Sequence, residues 1–211
     1  MKFKDYWKYI KYVLEHKKNV FKVCWSKGMY KHAILHDMSK FHPKEFFAYA
    51  EWFLGPHGIK LKNAYTEEQI TNGESILSKN YLACKERFDR AWEHHYKNNP
   101  HHWNYWVRED GEPDIIPEKY LDQMIADWEA MGIKFGNTAQ EFYLKNYKKI
   151  NLHVSTRIVL EMKLFLNDSP IHNYAHTLEQ FAEKYDEKTY NNHFGYIKEK
   201  YGIDTYKLFK S

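Results

Sequence analysis

The sequence predicts an all-α fold, and three observations carry that reading. Apolar residues recur at spacings of three, four and seven along most of the chain. Capping boxes, prolines and glycines punctuate these runs at intervals that suit helices. There are no strand pairs, no internal repeat and no low-complexity tract. Taken in order, Phe3, Trp7, Ile10, Leu14, Phe21 and Cys24 form the apolar stripe of a first helix over residues 3–26. Gly28 closes it, and a second helix runs to about Lys40; Pro43 then biases His42 away from helix. An aromatic helix, Glu45 to Leu54, ends at Gly55-Pro56, and residues 55–65 read as a loop. Thr66-Glu67-Glu68-Gln69 is a capping-box start that Thr71-Asn72-Gly73 interrupts. A long helix covers about Lys79 to Asn98, and Pro100 suits the first position of another, capped by Asn99. Asp110-Gly111 and Pro113 mark a loop. Pro117 opens a helix that runs to about Met131 and stops at Gly132. Thr138-Ala139-Gln140-Glu141 is a second capping box, and two more helices follow near 138–149 and 154–166. After Asp168-Ser169-Pro170 the tail is polar, aromatic and helical. Residues 1–168 thus read as one domain and 169–211 as a C-terminal helical extension.

Composition removes several function classes. Hydrophobic residues make up 43% and charged residues 28% of the 211, which is globular and not disordered. A mean hydropathy of −0.80, with no apolar run approaching ~18 residues, excludes a membrane span and gives no reason to expect a membrane partner. The start, Met1-Lys2-Phe3-Lys4, lacks the pattern of a secretory signal. Cys24 and Cys84 stand alone, which excludes a cysteine-based zinc module and points to a reducing, cytoplasmic setting. A net charge of +4 suits anionic ligands. The only arginines are Arg87, Arg90, Arg108 and Arg157, so arginine-rich reading of bases is not expected; nucleic acid is permitted but not favoured, and a homo-oligomer is possible. HExxH, P-loop, GxGxxG and GxSxG patterns are absent.

The 13 histidines are the chemically informative residues. In His36-Asp37-Met38-Ser39-Lys40, helical spacing would let His36, Asp37 and Lys40 converge on one side. Imidazole beside carboxylate makes a borderline-hard metal site, and a carboxylate has two oxygens with which to bridge two ions. His16 lies between Val13 and Val20 on an apolar flank; His95 follows Cys84, Phe88, Ala91 and Trp92 on one stripe; Asp127 falls on the stripe of Tyr120, Met124 and Met131. A carboxylate buried there needs a cation or strong donors.

The order His16, His36-Asp37, Asp127 on a helical chain resembles the HD-domain superfamily of metal-dependent phosphohydrolases, and implies an HD-like helical bundle in which these residues hold one divalent ion. Members with two ions add histidines between the pair and the last Asp, the interval that here contains His95, His101 and His102. Their spacing is shorter than in those members, and the turn Asn98-Asn99-Pro100 would have to fold two helix ends together to bring His95 near His101 or His102. His36-Asp37-Met38-Ser39-Lys40 is also similar to the HDxxK element of HD-GYP phosphodiesterases, which casts Lys40 as a phosphate contact; the GYP element is absent, and Trp103 stands where a Glu would follow the paired histidines. More narrowly, HDMSKFHPKEF, AWEHHYKNNPHHWNYW, PEKYLDQMIADW, and FYLKN followed by His153 and Thr156-Arg157 resemble a family of bacterial and phage proteins over about residues 5–165.

Together the residues and the resemblance lead to an expectation of hydrolysis. A metal-activated water would attack a phosphate mono- or diester, such as a nucleotide, while Asp37 and Asp127 orient it and Lys40 stabilises the developing charge. Mn, Fe, Co, Ni or Zn suits this donor set better than Mg or Ca, with one ion expected and two possible. Arg108, Lys145, Lys148 and Arg157 are further candidates for anion contacts. Two other readings stand beside it: an HD-type diiron oxygenase resembling myo-inositol oxygenase, and a non-catalytic, metal-stabilised protein binding a nucleotide or nucleic acid.

Overall fold

The computed structural model describes residues 1–64, 76–164 and 174–210, and among them every regular element is helical apart from one isolated bridge between Val107 and Pro113. None of these helices is long and apolar enough to cross a membrane. The chain divides into two compact units, Met1–Tyr105 and Trp106–Ser211, so the expected 1–168 domain spans both. The capping box at Thr66 and the break at Asp168-Ser169-Pro170 lie outside the described residues.

The first unit is built on α1 (Phe3–Ser26), the length the apolar spacing predicts. It buries the flank of Val13, His16 and Val20, and of the predicted stripe Cys24. Tyr9, Val13, His16, Asn19, Val20 and Cys24 turn inward, whereas Phe3, Trp7, Leu14 and Phe21 are exposed. The inward face carries His16 and Asn19, whose polarity lowers its apparent hydropathy, although Val13 and Val20 mark it in the sequence as an apolar flank. The second helix is also shorter than predicted. Instead of reaching Lys40, α2 covers only Tyr30–Leu35; His36 leaves helical geometry, Asp37 is left-handed at φ 53°, and a 3-10 turn follows at Met38–Phe41.

Pro43 opens α3 (Pro43–Leu54), at a first-turn position where its missing N–H costs nothing. Residues 55–64 are not all loop, because α4 (Ile59–Ala64) forms there and buries Leu61 with Trp52, Tyr81 and Cys84. The long α5 (Ile76–Asn98) packs on α3 through Tyr49, Ala50 and Ala91, which join Tyr9 and Val13 of α1. No α-helix starts at Pro100; the chain turns and makes a second 3-10 segment, Trp103–Trp106.

In the second unit, α6 runs Glu118–Phe135, past the predicted stop. Gly132 lies inside the helix, where a Cβ would come within 2.2 Å of the Asn137 carbonyl oxygen, and Gly136 supplies the left-handed terminus at φ 72°. The Thr138 capping box forms as predicted: Glu141 N–H donates to Thr138 Oγ1 at 3.1 Å, and Thr138 N–H to Glu141 Oε2 at 2.7 Å. Then follow α7 (Ala139–Asn146), α8 (Val154–Leu164) and, in the tail, α9 (Tyr174–Lys184), α10 (Glu187–Tyr201) and α11 (Thr205–Lys210).

Candidate metal centre

The break after α2 builds the site. With His36 out of helical geometry and Asp37 left-handed, the Asp37 side chain enters the interior of the first unit and is fully buried. Each of its oxygens then faces imidazole nitrogens. Oδ2 lies 3.2 Å from His36 Nε2 and 3.8 Å from His16 Nε2, and it pairs with the Lys40 ammonium. Oδ1 lies 3.3 Å from His101 Nε2 and 3.4 Å from His95 Nε2. The imidazoles also face one another, at 3.1 Å between His16 and His36 Nε2 and 2.9 Å between His95 and His102 Nε2. Thus the turn at Asn98-Asn99-Pro100 does fold His101 and His102 back toward His95.

These separations suit a shared cation. Ligand atoms ~2.0–2.1 Å from one ion are ~2.9–3.4 Å from each other in octahedral or tetrahedral arrangement. His16, His36 and Asp37 form one set able to hold an ion, Asp37, His101 and His102 a second, and His32, His36 and His101 a third that shares members with both. The buried His/Asp groups could therefore hold a metal ion.

A second layer orients the rings. Glu45, fully buried on α3, accepts from His95 Nδ1 at 2.9 Å through Oε2 and pairs with His94 Nδ1 at 2.7 Å through Oε1. Ser39 Oγ donates to Glu45 Oε2 at 3.0 Å, and Asn99 Nδ2 donates to Ser39 Oγ at 3.0 Å. With an Nδ1 proton held by Glu45, the neutral ring of His95 would turn its Nε2 lone pair toward Asp37 and His102, the orientation a metal requires. On the other side, His36 Nδ1 is 3.2 Å from His32 Nε2, and Lys17 Nζ donates to the His36 carbonyl at 2.7 Å.

The electrostatics agree with the geometry. Burial alone would raise the Asp37 carboxyl, but His36, Lys40 and His95, with a hydrogen bond from His101, hold it well below its ordinary value. Glu45 is lowered against the same burial penalty by His95, His94 and Ser39. Burial works to lower His95, yet Asp37 and Glu45 outweigh it and raise that imidazole. The two buried carboxylates therefore favour positive charge beside them, which Lys40 and the raised His95 imidazole supply.

The sequence-predicted residues divide between the units. His16, His36, Asp37, Lys40, His95, His101 and His102 converge in the first. Asp127 belongs to the second, on α6, where it is 9% exposed. The second unit also holds the proposed anion contacts. Arg108 faces Asp114 at 2.8 Å and Asp110 at 3.3 Å; Lys148 faces Glu179 at 2.8 Å; Lys145 is exposed. Arg157 donates to Tyr143 Oη at 2.8 Å and to the Ile150 carbonyl at 2.6 Å, bracing a buried network that continues to Glu161. Arg108, Lys148 and Arg157 thus all have local partners. Sequence reasoning missed Glu45, Ser39 and Asn99. For Glu45 a signal existed: it shares a stripe with Tyr49 and Trp52, four and seven residues on, so an acid lies on a buried aromatic face.

Comparison with known proteins adds one finding. A family of unknown function (DUF5662) matches residues 5–165, and the chain belongs to that family. No curated protein and no solved structure matches it.

Proposed function

We propose that this chain is a metal-dependent phosphohydrolase of the HD type, acting on a phosphate mono- or diester such as a nucleotide. The observation that carries the reading is the Asp37 carboxylate, buried between two sets of imidazole nitrogens and paired with a lysine that retains access to solvent: the Lys40 side chain is 20% exposed where those of Asp37, His36 and His95 are 0%. His16, His36 and Asp37 would hold one ion, and His95, His101 and His102 with Asp37 would hold another. A divalent transition ion bound there lowers the pKa of a coordinated water to about 7 and polarises a phosphoryl oxygen. Asp37 positions the charge at the centre, and Glu45 fixes the tautomer of His95. Lys40 presents an ammonium at the accessible edge, where a phosphoryl oxygen can exchange for water and take up its donors. The neighbouring helices exclude bulk solvent from the imidazoles, which strengthens each of these interactions.

The test is metal analysis of protein purified without chelator, followed by hydrolysis assays on nucleotides, cyclic dinucleotides and bis(p-nitrophenyl) phosphate with Mn added. We expect bound metal and phosphate-ester cleavage that His36→Ala and Asp37→Ala abolish. Metal binding with O₂ consumption and no cleavage would instead favour the diiron oxygenase. Metal loss in both variants with biological activity intact would favour a binding role.

A further inference from the structure

Four of the six residues of the predicted apolar stripe of α1, Phe3, Trp7, Leu14 and Phe21, lie on the outside of the first unit with Trp25, whereas Cys24 is buried and Ile10 half-buried. Phe3 is 85% exposed, Trp7 51%, Leu14 51%, Phe21 41% and Trp25 49%. At 3.6 residues per turn these five fall within about 40° of arc along a helix ~36 Å long. The arrangement is ordered: the Phe21 and Trp25 rings stack at 4.9 Å, and Trp25 meets the exposed Tyr30 edge-on at 4.7 Å. Exposed apolar side chains scattered singly need no explanation, but five large ones aligned on one side of a helix mark a contact surface.

Charge identifies the partner. Lys4, Lys8, Lys11, Lys18 and Lys22 lie along one border of the strip, with Glu15 as the acid among them. Residues 1–35 contain nine lysines against Asp5 and Glu15, a charge of +7 in a chain whose total is +4, so the remaining 176 residues are net acidic. A second copy docking α1 antiparallel on α1 would set this lysine border against its own image, and a parallel one would set it against a border that offers Lys17 and no acid, so like-charge repulsion opposes both. Aromatic and aliphatic side chains flanked by lysine on one helix face suit an anionic lipid surface. There the rings enter the headgroup boundary, and the ammonium groups reach the phosphates on long apolar stems.

We propose that the outer face of α1 is a peripheral docking surface for an anionic bilayer. The expectation of no membrane partner rested on spanning segments, and α1 lies along the surface without crossing. This surface stands independently of the metal reading, because none of its apolar residues belongs to the His/Asp cluster.

Sedimentation of the full chain with vesicles tests it, comparing pure phosphatidylcholine with mixtures that are roughly one-third phosphatidylglycerol. Binding is expected to the anionic vesicles alone and to fall as salt rises. Leu14→Glu with Phe21→Glu should weaken it at least tenfold, and Lys11→Glu with Lys18→Glu should do the same. All four positions are exposed, so melting followed by circular dichroism should be unchanged in both double variants. No sedimentation with anionic vesicles, or binding that neither double variant alters, would overturn the proposal. So would a dimer in light scattering that Leu14→Glu with Phe21→Glu converts to monomer, since a second copy would then cover the strip.

Discussion

Glu45 shows how much of the candidate site depends on a side chain that need not touch an ion. Its two oxygens hold His95 and His94, and its burial is tolerable because Ser39 and both imidazoles supply donors. Glu45→Gln keeps the size of the side chain but removes the charge and one acceptor oxygen. We expect metal affinity to fall roughly 10–100-fold in a competition titration with a chromogenic chelator, with helix content retained. Unchanged affinity would take Glu45 out of that role. The two cysteines make a different residue-scale prediction. Burial, with a smaller contribution from Glu51, pushes the Cys84 thiol up to about 11 against the opposing Arg87, and Cys24 is also buried. Neither should react with an aromatic disulfide reagent at pH 8 until denaturant is added; rapid reaction of the native chain would show that the interior opens. At this scale the sequence revealed His16 and His95 because a His on an apolar stripe is anomalous, and His36 through its pairing with Asp37, whereas His101 and His102 came from the resemblance to HD-domain proteins. The second layer was harder to see, since Ser39 and Asn99 are ordinary residues whose importance comes from folding.

At the scale of the element, the informative failure is the helix predicted to run through Lys40. Helical spacing was the argument for bringing His36, Asp37 and Lys40 together, and they do meet, but through a break. A left-handed residue at 37 turns the carboxylate inward while the 3-10 turn returns Lys40 to it. Helix periodicity cannot express that geometry, although Asp is among the few non-glycine residues that adopt it readily. The break separates two roles of Asp37. Asp37→Asn removes the charge but retains a residue that accepts a positive φ, whereas Asp37→Ala loses both. In urea titrations with chelator present, the Ala variant should be less stable than the Asn variant by about 1 kcal/mol. Equal stabilities would mean that the backbone at this position does not select the residue. Most of the predicted stripe of α1 lies outside for a related reason: a helix side that must supply His16 to a buried polar cluster cannot be the most hydrophobic side of that helix.

Across the whole molecule, site charge and fold stability are linked through pH, and metal should reverse part of the linkage. In the metal-free chain Asp37 and Glu45 are lowered. Their contribution is therefore present above the ordinary carboxyl range and is lost as pH falls through their folded values. His95 is raised above 6.5, so its contribution is complete below 6.5 and is lost as pH rises through its folded value. These site groups together favour mildly acidic conditions, between the carboxyl range and 6.5, for the metal-free fold. Metal ligation has the opposite requirement, because an ion must displace the His95 proton to reach Nε2. The rise in melting temperature that Mn or Zn produces over chelator should therefore grow from pH 6 to pH 8. A saturating ion at ~100 times its dissociation constant would add about 2.7 kcal/mol. Melting curves at pH 5, 6, 7 and 8, with and without metal, measure both arms. A metal-induced shift that is flat or shrinks over that range would mean that the imidazoles are not the ligands, whereas a growing shift that Glu45→Gln diminishes would tie the ion to the His95 side of the cluster.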